Sequence, residues 1–376
     1  MSSTSPGAQS LFEPCTIGGL ELKNRFMRSA TWDATADING AVTDTSVALY
    51  RELGKGGIGL IVSGYAFVSS HGQANPGQYG IHSDDMIPGM RRMVEAAHRN
   101  GTKIALQIVH AGINSGYLVG KGATLLAMSE MPEMNRPHRE MTEEDIEGII
   151  ADFAAAAARG REASFDAIQL HGAHGYLMSQ VISPLFNRRT DRWGGSAENR
   201  RRFHLEVIRR IRQTIGNDFP LMIKFGVMDD REGGVAQEEG IETSRQMVDT
   251  GIDAIEVSAG VGQVALTVKE GDPEMTPFRE RAAAVKRAVS VPVMVVAGIR
   301  TLETAQSIVS SGDADMVSMC RPFIREPGLL VRWQKGDTAP AKCISCNRCF
   351  PIVSRGEPLE CGEERRLREE AAAGSL

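Results

Sequence analysis

A single closed (β/α)8 barrel, the TIM-barrel architecture, is the α/β fold class that this 376-residue sequence predicts. Three observations carry the expectation. Eight short runs along the chain are apolar throughout rather than alternating, as parallel strands covered on both faces are. Helical stretches lie between them, and strict β–α alternation implies a parallel sheet. No Gly-x-Gly-x-x-Gly follows an early run, which weakens the rival open, doubly wound sheet, and eight units suit closure into a barrel.

In chain order the strands are expected at 25–30, 58–64, 103–110, 166–171, 220–225, 254–258, 292–297 and 314–319. The first helix includes Tyr50 and Leu53. The second, 86–99, is stopped by Asn100-Gly101. Thr142-Glu-Glu-Asp145 reads as a capping box that opens a helix to about 163. Further helices fit 198–214, 239–250, 277–288 and 303–311. The stretch 111–141 has no clear period and carries Met128, Met131, Met134 and Met141. Long loops in compact domains are commonly functional or disordered, so it is expected to cover the substrate, with a simple structural excursion as the alternative. Residues 1–10 read as a mobile tail, 11–335 as the barrel, and 336–376 as a cysteine-containing segment with a charged end.

Net charge is −5, with both signs mixed along the chain. That gives no basic footprint for nucleic acid and no polybasic membrane segment. No apolar run is long enough for a transmembrane helix. The first residues lack the basic and apolar regions of a secretory signal. The expectation is a cytoplasmic protein that handles small molecules. Of six cysteines, four crowd between Cys343 and Cys361. Without an export signal, such clustering favours metal or redox chemistry over disulfides.

Barrel active sites lie at the C-terminal ends of the strands. There the sequence places His171-Gly-Ala-His174-Gly-Tyr176. Two imidazoles can grip a substrate oxygen, and a phenol can deliver a proton. A pair of satisfied turn histidines is the alternative. Gln107 offers a donor and an acceptor to an imide edge. Lys224, inside an apolar strand, needs a partner: an electron-rich cofactor edge or a neighbouring carboxylate. Gly298, Cys320 and Arg321 close the last two strands, where barrels bind phosphate on backbone N–H groups. Cys343-x2-Cys346-x2-Cys349-x11-Cys361 has thiols enough for an iron–sulfur cluster or a zinc ion, and free thiols are the third possibility.

Taken together, these residues resemble the Old Yellow Enzyme family of FMN-dependent NAD(P)H oxidoreductases. The resemblance runs from about Leu11 to Cys361. It rests on Leu22-Lys-Asn-Arg25, Ala105-Leu-Gln-Ile-Val-His110, His171-x2-His174-Gly-Tyr-Leu177, Asn187-Arg-Arg-Thr-Asp-Arg-Trp-Gly-Gly195 with Glu198-Asn-Arg200, and Gly312-Asp-Ala-Asp-Met-Val-Ser-Met319 with Arg321-Pro322. It implies FMN at the barrel mouth, with NAD(P)H as electron donor. By position, Ser29, Ala30 and Thr31 flank the flavin, and Gly64, or Tyr65 beside it, lets backbone approach the ring. Gln107 reaches the pyrimidine edge and Lys224 lies near N1 and O2. Gly298, Cys320 and Arg321 hold the phosphate. His171 and His174 grip a carbonyl or phenolate oxygen, and Tyr176 donates the proton.

The implied reaction is reduction of the activated C=C bond of an α,β-unsaturated carbonyl compound, by a homo-oligomer. Trp32 departs from the pattern, standing where many members carry threonine or cysteine near flavin O4. The cysteine run resembles the 4Fe-4S motif of the dienoyl-CoA reductase and trimethylamine dehydrogenase branch, which has one more residue before the third cysteine. An iron–sulfur-linked dehydrogenase, demethylase or dienoyl-CoA reductase is therefore one alternative function. A non-redox barrel that acts on or binds a phosphorylated ligand is another.

Overall fold

The structure is a computed structural model that describes residues 10–262 and 276–373. The tail expected at 1–10 lies outside the described residues apart from Ser10. Eight parallel strands form the barrel: β1 (Phe26–Arg28), β2 (Leu60–Val62), β3 (Lys103–Val109), β4 (Ala167–Gly172), β5 (Leu221–Gly226), β6 (Ala254–Ser258), β7 (Val293–Val296) and β8 (Met316–Met319). Each pairs with the next in chain order, and β8 pairs back onto β1, so the ring closes. All eight expected strands are present.

Side chains along a strand alternate between faces. Outward residues such as Ile104, Leu106, Ile168, Leu170, Ile223 and Phe225 meet the surrounding helices in one large core. Inward residues form a second cluster of Met27, Leu60, Val62, Ala105, Ala167, Met222, Ala254, Met294 and Met316. Ile17 and Leu22 join it from an antiparallel hairpin, Cys15–Ile17 with Leu20–Leu22, which plugs the N-terminal end of the barrel. One inward step further along, the residues turn polar: Ser29, Gln107, Gln169, Lys224, Glu256 and Ser318, all buried. The barrel is thus apolar below and polar above, where the site lies.

The surrounding helices are α1 (Asp44–Lys55), α2 (Ile87–His98), α3 (Glu143–Glu162), α4 (Ala197–Ile215), α5 (Gln237–Thr250), α6 (Arg279–Lys286) and α7 (Leu302–Ser310). The Thr142 hydroxyl accepts from Asp145 N, and the Asp145 carboxylate accepts from Thr142 N, so the expected capping box opens α3. After β8 come α8 (Arg321–Arg325), α9 (Leu329–Gln334), α10 (Cys349–Ser354) and α11 (Gly362–Ala373). Among the described residues, no helix is long and apolar enough to cross a membrane.

The expectation for 111–141, outside the barrel, needs correction. Residues 111–141 form an ordered excursion with a short helix, Gly116–Gly120, and a parallel strand pair, Leu125–Ala127 with His138–Glu140. Its apolar residues pack on Phe186 and Val261, and Arg189 ties it down through the carbonyls of Met128 and Met141. It contributes nothing to the wall of the site cavity, so it is not the expected cover. The segment after α9 instead folds back across the barrel mouth. Its Leu359 N–H donates to Asp33 O at 2.9 Å.

Candidate active site

A cavity of about 490 Å3 opens at the C-terminal end of the barrel, within the usual size for a cofactor or ligand pocket. Its floor includes the ends of a buried hydrogen-bond network. Glu256, on β6, pairs in register with Lys224 on β5. The Glu256 carboxylate accepts from Ser29 Oγ at 2.6 Å, Ser318 Oγ at 2.7 Å, Lys224 Nζ at 3.3 Å and Gln169 Nε2 at 3.0 Å. Lys224 Nζ also donates to Ser29 Oγ at 2.7 Å. Gln169 Oε1 in turn accepts from Gln107 Nε2 at 2.7 Å. Lys224 therefore has the neighbouring carboxylate its burial demanded.

His171 ends β4 and His174 follows it. The Ala173 N–H donates to His171 Nδ1 at 3.3 Å. In a neutral ring that puts the hydrogen on Nε2, ready to donate. His174 has left-handed backbone, φ 61°, which costs about 1 kcal/mol for a residue other than glycine. The turn holds it there: its N–H donates to Ala259 O at 3.0 Å, and its Nε2 lies 2.8 Å from Ser258 Oγ. The two rings meet edge to face at 5.2 Å. His174 is exposed at the barrel mouth, and partial desolvation in the turn, with Lys224 close by, lowers its pKa. Burial, His174 and Lys224 hold His171 well below its ordinary value. Both imidazoles are neutral hydrogen-bonding groups at neutral pH.

Tyr176 shares the wall with a second phenol, Tyr65, their rings 5.6 Å apart. Tyr176 Oη donates to Tyr65 Oη at 3.2 Å, and Asn75 Nδ2 donates to the same oxygen at 2.8 Å. Trp32 also lines the cavity. Its Nε1 donates to Pro76 O at 3.0 Å, and the indole packs with Tyr65, Tyr176, Ala74, Val109 and Ala111. Ala30 and Thr31 continue this wall.

Further along the rim stand Gly298, Cys320 and Arg321, joined by Arg300. Arg300 is buried and donates through Nη1 to Cys343 O at 3.2 Å, while its Nε has no partner. The segment after α9 closes this side with Ser345, Asn347, Cys349, Phe350, Val353 and Leu359. All four clustered cysteines line a second, small cavity of about 20 Å3, which shares Arg321, Ile324, Asn347 and Cys349 with the first. Ser345 and Asn347, between the cysteines, are left-handed at φ 61° and 59°. Burial pushes the Cys349 thiol up to about 12 and Cys343 upward too. Among the described residues, no group of three or more histidine, cysteine, aspartate or glutamate side chains is arranged to hold a metal ion.

Of the residues the sequence proposed for catalysis, flavin or phosphate, Gly64 is the one away from the cavity wall. Its N–H donates to Tyr50 Oη at 2.6 Å, and a Cβ there would lie 2.9 Å from Asp33 Oδ2. The glycine serves packing behind the wall, and its neighbour Tyr65 faces the site. Sequence reading missed Gln169, Glu256, Arg300, Asn75 and the proton-bearing role open to Tyr65. Glu256 had a usable signal. It is a charge in an apolar strand, the same feature that singled out Lys224.

FMN fits what is present. Gln107 Oε1 is a buried acceptor without a partner on the floor, suited to an imide N–H. Lys224 supplies a cation beside it. Arg300 and Arg321 put two guanidinium groups where a phosphate is expected, one with an unpartnered N–H.

Comparison with known proteins gives a consistent picture. The family described as NADH:flavin oxidoreductase / NADH oxidase matches residues 10–339. An NADH oxidase of Thermoanaerobacter brockii is 36% identical over 342 residues, covering 90% of this chain and 52% of its own length. The chain thus spans about half the length of that relative. An NADPH dehydrogenase of Geobacillus sp. (strain WCH70) is 33% identical over 320 residues, 84% of this chain and 91% of its own. Among solved structures, an old yellow enzyme homologue from Zymomonas mobilis superimposes with a TM-score of 0.75 at 26% identity, over 88% of this chain and 94% of that one.

Proposed function

This chain belongs to the NADH:flavin oxidoreductase / NADH oxidase family of FMN-dependent oxidoreductases, and from that premise we propose that it is an NAD(P)H-dependent reductase of the activated C=C bond of α,β-unsaturated carbonyl compounds. The carrying observation is the convergence of His171, His174, Tyr65 and Tyr176 on one wall of the cavity, above the Lys224–Glu256 floor.

When bound, FMN supplies the hydride chemistry, accepting from NAD(P)H and giving to the substrate β-carbon. Gln107 and Lys224 hold its ring edge. Gly298, Cys320, Arg321 and Arg300 hold its phosphate, and Ser29, Ala30 and Thr31 flank the ring. The Ser29 hydroxyl already donates to Glu256, so its part is to position Lys224. His171 and His174 hold the carbonyl oxygen. Because both rings are neutral, they stabilise the developing enolate by hydrogen bonding, without carrying charge. Tyr176 is the source of the α-carbon proton. Trp32, pinned by Pro76, narrows the wall where the substrate enters and sets its orientation.

The His171→Ala/His174→Ala double variant tests the reading. It should bind FMN, with the visible flavin spectrum intact, and lose about 10²–10³-fold in turnover of 2-cyclohexenone, the range for a lost oxyanion donor. Full turnover with flavin bound removes the assignment. A colourless preparation that takes up no added FMN removes the cofactor.

One observation supports a second reading, an iron–sulfur-linked flavin dehydrogenase or demethylase: the four cysteines line one cavity that shares a wall with the flavin site. In it Cys343, Cys346, Cys349 and Cys361 hold a 4Fe-4S cluster. Iron and acid-labile sulfide in anaerobically purified protein, near four of each per chain, support the second reading, and their absence removes it.

A further inference from the structure

The tyrosine pair beside His171 reveals which hydroxyl hydrogen is free to leave. A phenol oxygen carries one hydrogen and accepts up to two. On Tyr65 both acceptor positions are filled, by Tyr176 Oη and Asn75 Nδ2. Tyr176 has therefore spent its hydrogen on Tyr65. The Tyr65 hydrogen has no acceptor among the described residues, and Tyr65 lines the cavity. The ring is fixed by an edge-to-face contact with His171 at 5.8 Å and by the tilted contact with Tyr176 at 5.6 Å.

We propose that Tyr65 hands the proton to the substrate, that Tyr176 refills Tyr65, and that Asn75 is the positioning residue that sets the direction of the pair. The inference rests on the ene-reductase reading and gives the route by which the Tyr176 proton reaches the α-carbon.

The step balances. Hydride adds at the β-carbon, and the enolate oxygen lies on His171 and His174. The Tyr65 O–H bond breaks as the Cα–H bond forms. The Tyr176 O–H bond breaks as that of Tyr65 reforms. The negative charge ends on Tyr176, which solvent reprotonates. The surroundings favour that end point. Burial pushes both phenols up, but Tyr65 and Asn75, which can donate to the Tyr176 oxygen once it is ionised, pull Tyr176 back, whereas Tyr176 pushes Tyr65 further up. Tyr176 is the easier of the two to ionise.

The experiment uses anaerobically reduced holoenzyme mixed with 2-cyclohexenone in stopped flow, with flavin reoxidation followed in H2O–D2O mixtures. Tyr65→Phe should slow reoxidation about 10²-fold or more, the usual loss for a general acid, and Tyr176→Phe should slow it less. Wild-type rate should curve with deuterium fraction, because two protons move, and the curve should straighten in Tyr176→Phe. Tyr65→Phe within about threefold of wild type beside a hundredfold loss in Tyr176→Phe overturns the order, and so does a linear wild-type plot. Neutron diffraction on deuterium-exchanged holoenzyme reads the order without any substrate. Tyr176 O–D should point at Tyr65 Oη and Tyr65 O–D into the cavity, and the reverse sense overturns the proposal. If wild-type reduced flavin is not reoxidised by any enone, the ene-reductase reading falls, and the neutron result alone decides the order of the phenols.

Discussion

At the scale of single residues, the floor of the site depends on one buried ion pair. Lys224 and Glu256 are 5% and 0% exposed at the side chain. Neither charge is reached by bulk water, so each depends on the other and on Ser29, Ser318 and Gln169. Removing one partner strands the other, which costs about 3–5 kcal/mol, whereas replacing both by well-packed apolar groups is often close to neutral. Glu256→Leu should therefore lower unfolding free energy by that amount in urea titration, and Glu256→Leu/Lys224→Met should recover most of it while weakening FMN binding. A Glu256→Leu protein as stable as wild type would mean that the Lys224 charge is held by something else. The same pair shows why site residues were only partly legible. Lys224 stood out because an ammonium in Leu-Met-Ile-Lys-Phe needs an explanation, and Glu256 in Ala-Ile-Glu-Val-Ser needed the same one. Gln169 carries no charge to flag it. Only its position two residues before His171 on β4, facing inward with Gln107 alongside, gives it meaning.

At the scale of elements, the eight strands were legible because both faces of each are buried for most of its length. The outward face packs on helices and the lower inward face on the methionine and alanine layer, so the runs look uniformly apolar. The upper inward positions break that uniformity with period two: Met27 then Ser29, Ala105 then Gln107, Met222 then Lys224, Ala254 then Glu256, Met316 then Ser318. That change of polarity marks the catalytic end of the barrel and was in the sequence to be read. The excursion at 111–141 was not legible in the same way. Its length suggested a substrate cover, but Met131 and Met134 pack with Phe186 and Val261, and Met128 and Met141 join the main core, partners that nothing local points to. The segment after α9 is a harder case still. Ser345, Cys349 and Val353 line a cavity built from strands that begin with β1. Their placement depends on long-range contacts, such as Arg300 to Cys343 O and Leu359 to Asp33 O, that no periodicity encodes.

At the scale of the whole molecule, the chain buries three histidines in neutral form, His110, His171 and His204, and this sets its response to acid. Burial holds His110 and His204 at about 3 each, and burial with His174 and Lys224 close by holds His171 well below its ordinary value. In the unfolded chain each would titrate near 6.5. A group that binds its proton less well when folded favours the unfolded state once pH drops below the unfolded value. Stability from these residues is therefore complete above about pH 6.5 and falls as pH decreases toward the folded values, by about 1.4 kcal/mol per unit for each group fully in that window. Paired carboxylates such as Asp166 and Asp191, whose folded values are lowered, add to the loss at lower pH. The denaturation midpoint should fall steeply between pH 7.5 and pH 5, and equal midpoints would contradict the burial of neutral imidazoles. His204 allows one contribution to be isolated. It lies outside the site, packed on Phe203 and Phe225, and neither ring nitrogen has a partner. His204→Phe removes two stranded polar atoms and one titrating group together. It should leave the flavin spectrum unchanged, match or exceed wild-type stability at neutral pH, and lessen the acid dependence by the share of a single proton.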